Sequence, residues 1–271
     1  MRGYRTDLAA EELPAGGGKL PGVECESEFT DGFRVTRVRV LDQAGSDKLC
    51  KPIGVYLTLD VESFFRREED SFPRAVALLS RQIRELLPLE KEAPVLVAGL
   101  GNPSITPDAV GPETAALTLA SRHLRSAMPE LFGDFRPVSV LRTGVLGTTG
   151  MESAELIRAV CEAVEPGAVV VIDALASRET EKLCRTVQLA DSGIVPGSGV
   201  GNDRAELSRR TLGIPVLAVG VPTVVDAGEG LIVTLRDIDR YVKDAGKLIA
   251  YGLNLALHPG LTVSDLDMYV G

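Results

Sequence analysis

The sequence predicts an α/β layered domain with a mostly parallel central sheet, helices on both faces and an N-terminal β extension. Three observations carry that expectation. Residues 94–100, 168–172 and 215–219 are short, nearly unbroken apolar runs, the pattern of parallel strands covered on both faces. Segments with helical spacing lie near 112–127, 152–164 and 204–212. Strand alternating with helix is the signature of crossover connections and hence of parallel pairing.

The remaining elements follow in order. The first 30 residues are expected to be loosely structured, because Ala15-Gly16-Gly17-Gly18 and Pro21-Gly22 interrupt regular backbone. Residues 34–41 alternate polar and apolar side chains (Val35, Val38, Val40), as do 52–59 (Val55, Leu57, Leu59), so both read as half-exposed strands of the N-terminal extension. Residues 72–87 read as a helix ending before Pro88, 138–141 as a short strand, and 236–257 as a closing amphipathic helix.

Composition narrows the function. The chain has 271 residues, 29 Lys+Arg against 38 Asp+Glu, and a formal charge of −9. With 45% apolar and 25% charged residues it matches ordinary globular proteins, and its acidic balance argues against a nucleic-acid partner. No run approaches the roughly 18 apolar residues of a membrane span, and the start lacks an apolar export core, so a cytoplasmic location is expected. Cys25, Cys50, Cys161 and Cys184 form no C-x-x-C pair and read as reduced thiols. Only His123 and His258 are present, without H-E-x-x-H; the first reads as a surface or packing residue, the second as a helix C-terminal cap.

In an open α/β sheet, ligands bind outside the carboxyl ends of the strands, where three segments begin. The first, 99–112, is a glycine-rich turn with Asp108 just before a helix, where it is placed either to cap that helix or to act in a site. Ser104 occupies the third glycine position of G-x-G-x-x-G, so no dinucleotide cofactor is expected. The second carries Asp173 directly after the apolar run 168–172. Burial there raises a carboxyl pKa, and a second carboxylate raises it further, so that one acts as acid and the other as base. A structural Asp bonded to a neighbouring loop is the competing reading. The third, 191–202, holds Gly197, Ser198, Gly199, Gly201 and Asn202, a loop able to offer N–H groups to a substrate carbonyl. A fourth segment, 144–152, gives Thr149 and Glu152 the spacing of a helix capping box.

Together these segments resemble one family. Tyr4-Arg5-Thr6-Asp7-Leu8-Ala9, the 99–112 stretch, Phe135-Arg136-Pro137-Val138, Ile172-Asp173-Ala174-Leu175-Ala176, the 191–202 loop, 212–227 and Gly252-Leu253-Asn254-Leu255-Ala256-Leu257-His258 resemble the germination protease of endospore-forming bacteria. The resemblance implies an atypical aspartic endopeptidase, with a fold similar to hydrogenase-maturation peptidases, that degrades small acid-soluble spore proteins in the spore core. It implies a tetramer made as a proenzyme: a propeptide-like segment 1–8, cut at Asp7–Leu8, before a single peptidase domain 9–271. The aspartates it aligns as catalytic are Asp108 and Asp173; the N–H groups of the 197–202 loop are expected to stabilise the oxyanion. In the hydrogenase-maturation relatives the matching carboxylates bind a metal with a histidine. This chain has no histidine at an equivalent segment, so no metal is expected. A metal-assisted peptidase using the same carboxylates and a non-catalytic, protein-binding member are the alternatives. Two departures stand out: a family insertion after Ala227 is missing, and Thr143 replaces a proline.

Overall fold

The computed structural model describes residues 5–14, 20–90, 92–202 and 204–271. The 15–18 cluster expected to interrupt structure lies outside them, as do the first four residues of the propeptide-like segment. Among the described residues, nine strands form one sheet: β1 (Val23–Thr30), β2 (Phe33–Val40), β3 (Gly54–Asp60), β4 (Val95–Leu100), β5 (Val138–Gly144), β6 (Ala168–Ser177), β7 (Thr186–Ala190), β8 (Val216–Asp226) and β9 (Ile232–Thr234). The order is β1-β2-β3-β7-β8-β6-β4-β5, with β9 paired to β8.

The expected parallel core is there: β8, β6, β4 and β5 run parallel. The sheet as a whole is mixed, however, because β1, β2, β3 and β7 join antiparallel and β9 folds back on β8. The expected parallel central strands are those with the unbroken apolar runs, and the N-terminal extension joins the same sheet antiparallel through β7. The N-terminal extension is present and reaches further back than expected. Residues Val23–Thr30, placed in a loose segment by the sequence, form an edge strand paired residue for residue with β2.

Strand alternation explains the layers. Val95 and Val97 point to one face, with Val170, Ile172, Leu217 and Val219, and meet the helices Ser71–Leu86 and Ile238–Leu257. Leu96, Ala98 and Leu100 point to the other, with Val169 and Val171, and meet the helix Ser153–Val164 through Ala154 and Ile157. Burial of both faces is what an apolar residue at every strand position requires. At roughly 25 cal/mol per Å² of apolar area, such runs are the main source of stability.

Two expected helices are shorter than the periodicity suggests. The 112–127 segment divides into helices Val110–Ala116 and Arg122–Ala127. The cause is Asn254, fully buried, whose Nδ2 donates to Leu117 O and whose Oδ1 accepts from Leu119 N–H, both at 2.9 Å, drawing those groups away from helical bonding. In 204–212 only Arg209–Leu212 is helical, because Leu207 exchanges two backbone hydrogen bonds of 2.9 Å with Ile194. After Ala227, Gly228, Glu229 and Gly230 all adopt positive φ and close a tight hairpin between β8 and β9.

Candidate active site

The site is built where β4 stops and β6 continues. The last residue of β6 paired to β4 is Ile172, opposite Gly99. Asp173 is the next residue, so β4 has turned away at its side while β8 still pairs Gly220 opposite it. The sequence placed Asp173 at the end of its strand; the strand runs on to Ser177, because β8 lengthens in step with it.

Beyond β4 the chain turns at Gly101, whose φ of 106° is open to glycine; a Cβ there would run into the Asp108 carbonyl. The turn brings Asp108, at the end of a 3₁₀ turn (Thr106–Asp108), back under it: Asn102 N–H donates to Asp108 Oδ2 at 2.7 Å. Asp108 therefore bonds back to the glycine turn, and the helix Val110–Ala116 carries no side-chain cap. A β-bulge at Leu175/Ala176 leaves Thr223 of β8 without a cross-strand partner, and its hydroxyl donates to Pro107 O at 2.7 Å, fastening the turn to the sheet.

Asp108 and Asp173 line one cavity of about 570 Å³, together with Asn102, Ala174, Ala176 and Asp7. Asp173 is 5% exposed and accepts the Ala174 N–H at 2.9 Å. Burial, then the neighbouring Asp108, then Asp7 hold its carboxyl well above the usual range. Burial also raises Asp108, opposed by the Asn102 N–H. The pair is thus unequal: both carboxyls are raised, Asp173 by burial and two neighbouring carboxylates, Asp108 by burial partly offset by the Asn102 N–H.

Asp7 enters this cavity from the N-terminal segment. Its carboxylate accepts the Ser198 hydroxyl at 2.7 Å and the Ala176 N–H at 2.8 Å. Leu8, next to it, is fully buried. The segment stays docked through Glu11, which accepts Ser177 Oγ at 2.6 Å and Arg178 N–H at 2.7 Å, and through an Arg178–Glu12 ion pair of 2.6 Å.

The 191–202 loop reaches the cavity through Gly197 and Asn202. Its N–H groups of Ser198, Val200, Gly201 and Asn202 bond within the loop, and what it presents toward the N-terminal segment is the Ser198 side chain. Of the residues expected to offer N–H groups to an oxyanion, Ser198, Gly201 and Asn202 thus have theirs engaged within the loop. The expected Thr149–Glu152 capping box is replaced: Glu152 itself precedes the helix, its N–H held by Glu155 at 3.0 Å, while Thr149 accepts the Met151 N–H. His258 lies away from the cavity, buried against Phe135, where burial lowers its pKa to about 4. Among the described residues, no group of three or more His, Cys, Asp or Glu is placed to hold a metal.

Sequence reasoning missed Gln188 and Lys51, both bonded to the N-terminal segment. Gln188 carried a signal, being the polar residue between Val187 and Leu189 in a buried strand. Lys51, in an irregular stretch, carried none.

Two carboxyls with raised pKa values at the carboxyl edge of a parallel sheet, beside a docked polypeptide segment, mark the cavity as the candidate site of an α/β protein. The comparisons narrow the class. The family model described as "Germination protease" matches residues 7–229. The germination protease of Caldanaerobacter subterraneus subsp. tengcongensis is 38% identical across 98% of this chain and 97% of its own length. That of Clostridium perfringens is 33% identical over the whole of both chains, and that of Bacillus cereus 41% identical over 92% of this chain and 69% of its own. A [NiFe] hydrogenase maturation protease, HycI from Thermococcus kodakarensis KOD1, superposes with a TM-score of 0.40 and 19% identity, covering 65% of this chain and 98% of that one. The chain belongs to the germination protease family, and so to the peptidases of spore germination. The first of these alignments spans 315 positions, so that relative carries residues this chain lacks.

Proposed function

We propose that the chain is an endopeptidase that degrades small acid-soluble spore proteins during germination, with Asp108 and Asp173 as its catalytic carboxyls. The observation that carries this is the shared cavity in which the two carboxyls sit in unequal electrostatic surroundings. Asp108, the better supported anion, takes a proton from water as the oxygen attacks the scissile carbonyl. Asp173, held protonated, gives its proton to that carbonyl oxygen; Asp108 then passes the proton it took from water to the leaving nitrogen, and Asp173 recovers its own as the carbonyl re-forms. Exposed apolar side chains at the cavity rim, Ile105 and Ile232, give an incoming polypeptide surface to bury.

The same reading makes the chain a proenzyme: within the propeptide-like segment 1–8, ahead of the peptidase domain 9–271, the cut at Asp7–Leu8 releases residues 1–7. Asp7 lining the cavity supports it. Assembly as a tetramer and a site of action in the spore core follow from the family resemblance.

The test is incubation with a purified small acid-soluble spore protein, fragments being read by mass spectrometry. Asp108→Asn and Asp173→Asn each lower the rate by roughly 10²–10⁴, the range typical of a lost general acid or base. Cleavage by the unaltered chain persists after exhaustive chelation. Near-normal turnover by either variant would overturn the pair.

A further inference from the structure

Leu8 is the extended residue before a 3₁₀ turn, Ala9–Glu11, in which Glu11 N–H donates to Leu8 O at 3.2 Å. Glu11 is three residues on, the position from which a glutamate side chain reaches back to the N–H that opens a turn. Here a hydroxyl stands between the two groups. Leu8 N–H donates to Thr6 Oγ at 3.0 Å, and Thr6 Oγ donates to Glu11 Oε2. The carboxylate is also held from the far side. Besides Ser177 Oγ and Arg178 N–H it accepts Glu179 N–H at 3.3 Å, so its place at the end of β6 does not depend on Thr6.

Thr6 and Asp7 belong to the piece that the proposed cut releases, Leu8 and Glu11 to the piece that stays. Hydrolysis of the Asp7–Leu8 bond consumes one water: the carbon–nitrogen bond breaks, the water oxygen completes a carboxylate on Asp7, and the Leu8 nitrogen becomes an amine that is mostly protonated at neutral pH. The new ammonium forms where Leu8 and Ala9 are fully buried and where Ala9 N–H stays bound to Gln188 Oε1 at 2.8 Å. A buried ammonium without a partner is strongly disfavoured. Once Thr6 has left, the next acceptor along the hydrogen-bond chain is Glu11 Oε2, one hydroxyl away. The other charged groups around the turn do not compete. Asp7 leaves with the segment, Glu12 pairs with Arg178 at 2.6 Å, and Lys51, which donates to Thr6 O, is itself a cation.

We infer that Glu11 is the binding site of the amino terminus that the cut creates, its carboxylate taking the Leu8 ammonium in place of the Thr6 hydroxyl. The inference rests on the proenzyme reading for where the chain opens, and goes beyond it in what the new end does. Before the cut Glu11 meets a neutral hydroxyl; afterwards it meets a charge, and the contact becomes an ion pair. That pair sits against Ser177–Glu179, where the strand carrying Asp173 ends, so the departure of residues 1–7 leaves this strand end tied to the new terminus.

The test makes the new end without relying on the chain's own activity. The full chain carries Asp-Asp-Asp-Asp-Lys in place of residues 3–7, and enteropeptidase cuts it before Leu8. Acetic anhydride labelling of the Leu8 amine is then followed against pH, the labelled peptide being identified by mass spectrometry. The midpoint lies about one pH unit or more above that of the free peptide Leu-Ala-Ala-Glu-Glu, because a carboxylate in contact favours the charged form. Glu11→Gln brings it down by at least as much, and lowers the melting temperature of the cut chain by more than that of the uncut one, where the amide oxygen still accepts the Thr6 hydroxyl. The comparison with the peptide needs no variant, so it stands even if Glu11→Gln does not fold. A midpoint equal to the peptide's, a midpoint that Glu11→Gln leaves in place, or equal melting losses in cut and uncut chains would overturn the site. A raised midpoint, in a protein whose natural residues 1–7 are never removed by its own activity, would support the site and count against the proenzyme reading. Self-cleavage at Asp7–Leu8 followed by an ordinary midpoint would do the reverse.

Discussion

The two halves of the sheet are built to different rules. In the parallel half, β4 and the first six residues of β6 are buried throughout, and apolar side chains pack on both faces. At the other edge, six consecutive residues of β1 are exposed, Phe29 by 71%. That strand is held by its pairing with β2, a Ser27–Thr36 hydroxyl contact and ion pairs from Arg39 to Glu24 and Glu26. The difference locates function. A rigid, doubly covered half can hold two carboxyls out of water at its carboxyl edge. The antiparallel half contributes β7, whose Gln188 reaches the docked segment. On the proposed reading, chemistry comes from one half, and part of the hold on the docked segment from the other.

The largest effects are expected where the parallel half carries the carboxyls: the 10²–10⁴-fold losses in Asp108→Asn and Asp173→Asn, read as cleavage rates. Next come its core residues. Ile172→Ala and Leu96→Ala, both fully buried, should each cost about 2–5 kcal/mol in urea unfolding. Values below about 1 kcal/mol would mean that the parallel half is not the rigid one.

A smaller effect has the opposite sign. Because Asp173 holds its proton above the ordinary carboxylate range, the folded chain binds more protons than the unfolded chain from about pH 4 up to the raised value. The stability linked to that proton is complete below about pH 4 and is lost as pH rises through the raised value. Asparagine imitates the neutral carboxyl at every pH, so Asp173→Asn should melt higher than the unaltered chain at pH 7, and the two should converge near pH 4. The gain amounts to about 2–4 °C per kcal/mol relieved in a domain of this size. Equal melting curves at both pH values would remove the buried-proton argument. The smallest effect belongs to the exposed edge: Glu26→Ala, in a 3.7 Å exposed ion pair, should change stability by no more than about 0.5 kcal/mol.

What was legible in the sequence follows the same division. The unbroken apolar runs located β4, β6 and β8, and with them Asp173 within β6 and the turn after β4 that carries Asp108. β1 was not legible, because Val-Glu-Cys-Glu-Ser-Glu-Phe-Thr has no buried face to impose an apolar register; its conformation comes from its partner strand. β7 is five residues long with a glutamine at its centre, too short for periodicity to show. The break in the 112–127 helix depends on Asn254, more than 130 residues away, which no local window contains. Asp7 was expected as the residue before a cut bond. Its carboxylate in the cavity depends on contacts with Ala176 and Ser198 that only the tertiary fold creates.

The central claim is that Asp108 and Asp173 titrate as one unit. The most direct measurement is carboxyl-carbon NMR titration of aspartate-labelled chain, unaltered and as Asp108→Asn. The account predicts that Asp173 titrates well above the ordinary carboxylate range in the unaltered chain. In Asp108→Asn it should move down while staying raised by burial. An Asp173 titration that does not respond to Asp108→Asn would show two independent carboxyls and contradict the pair.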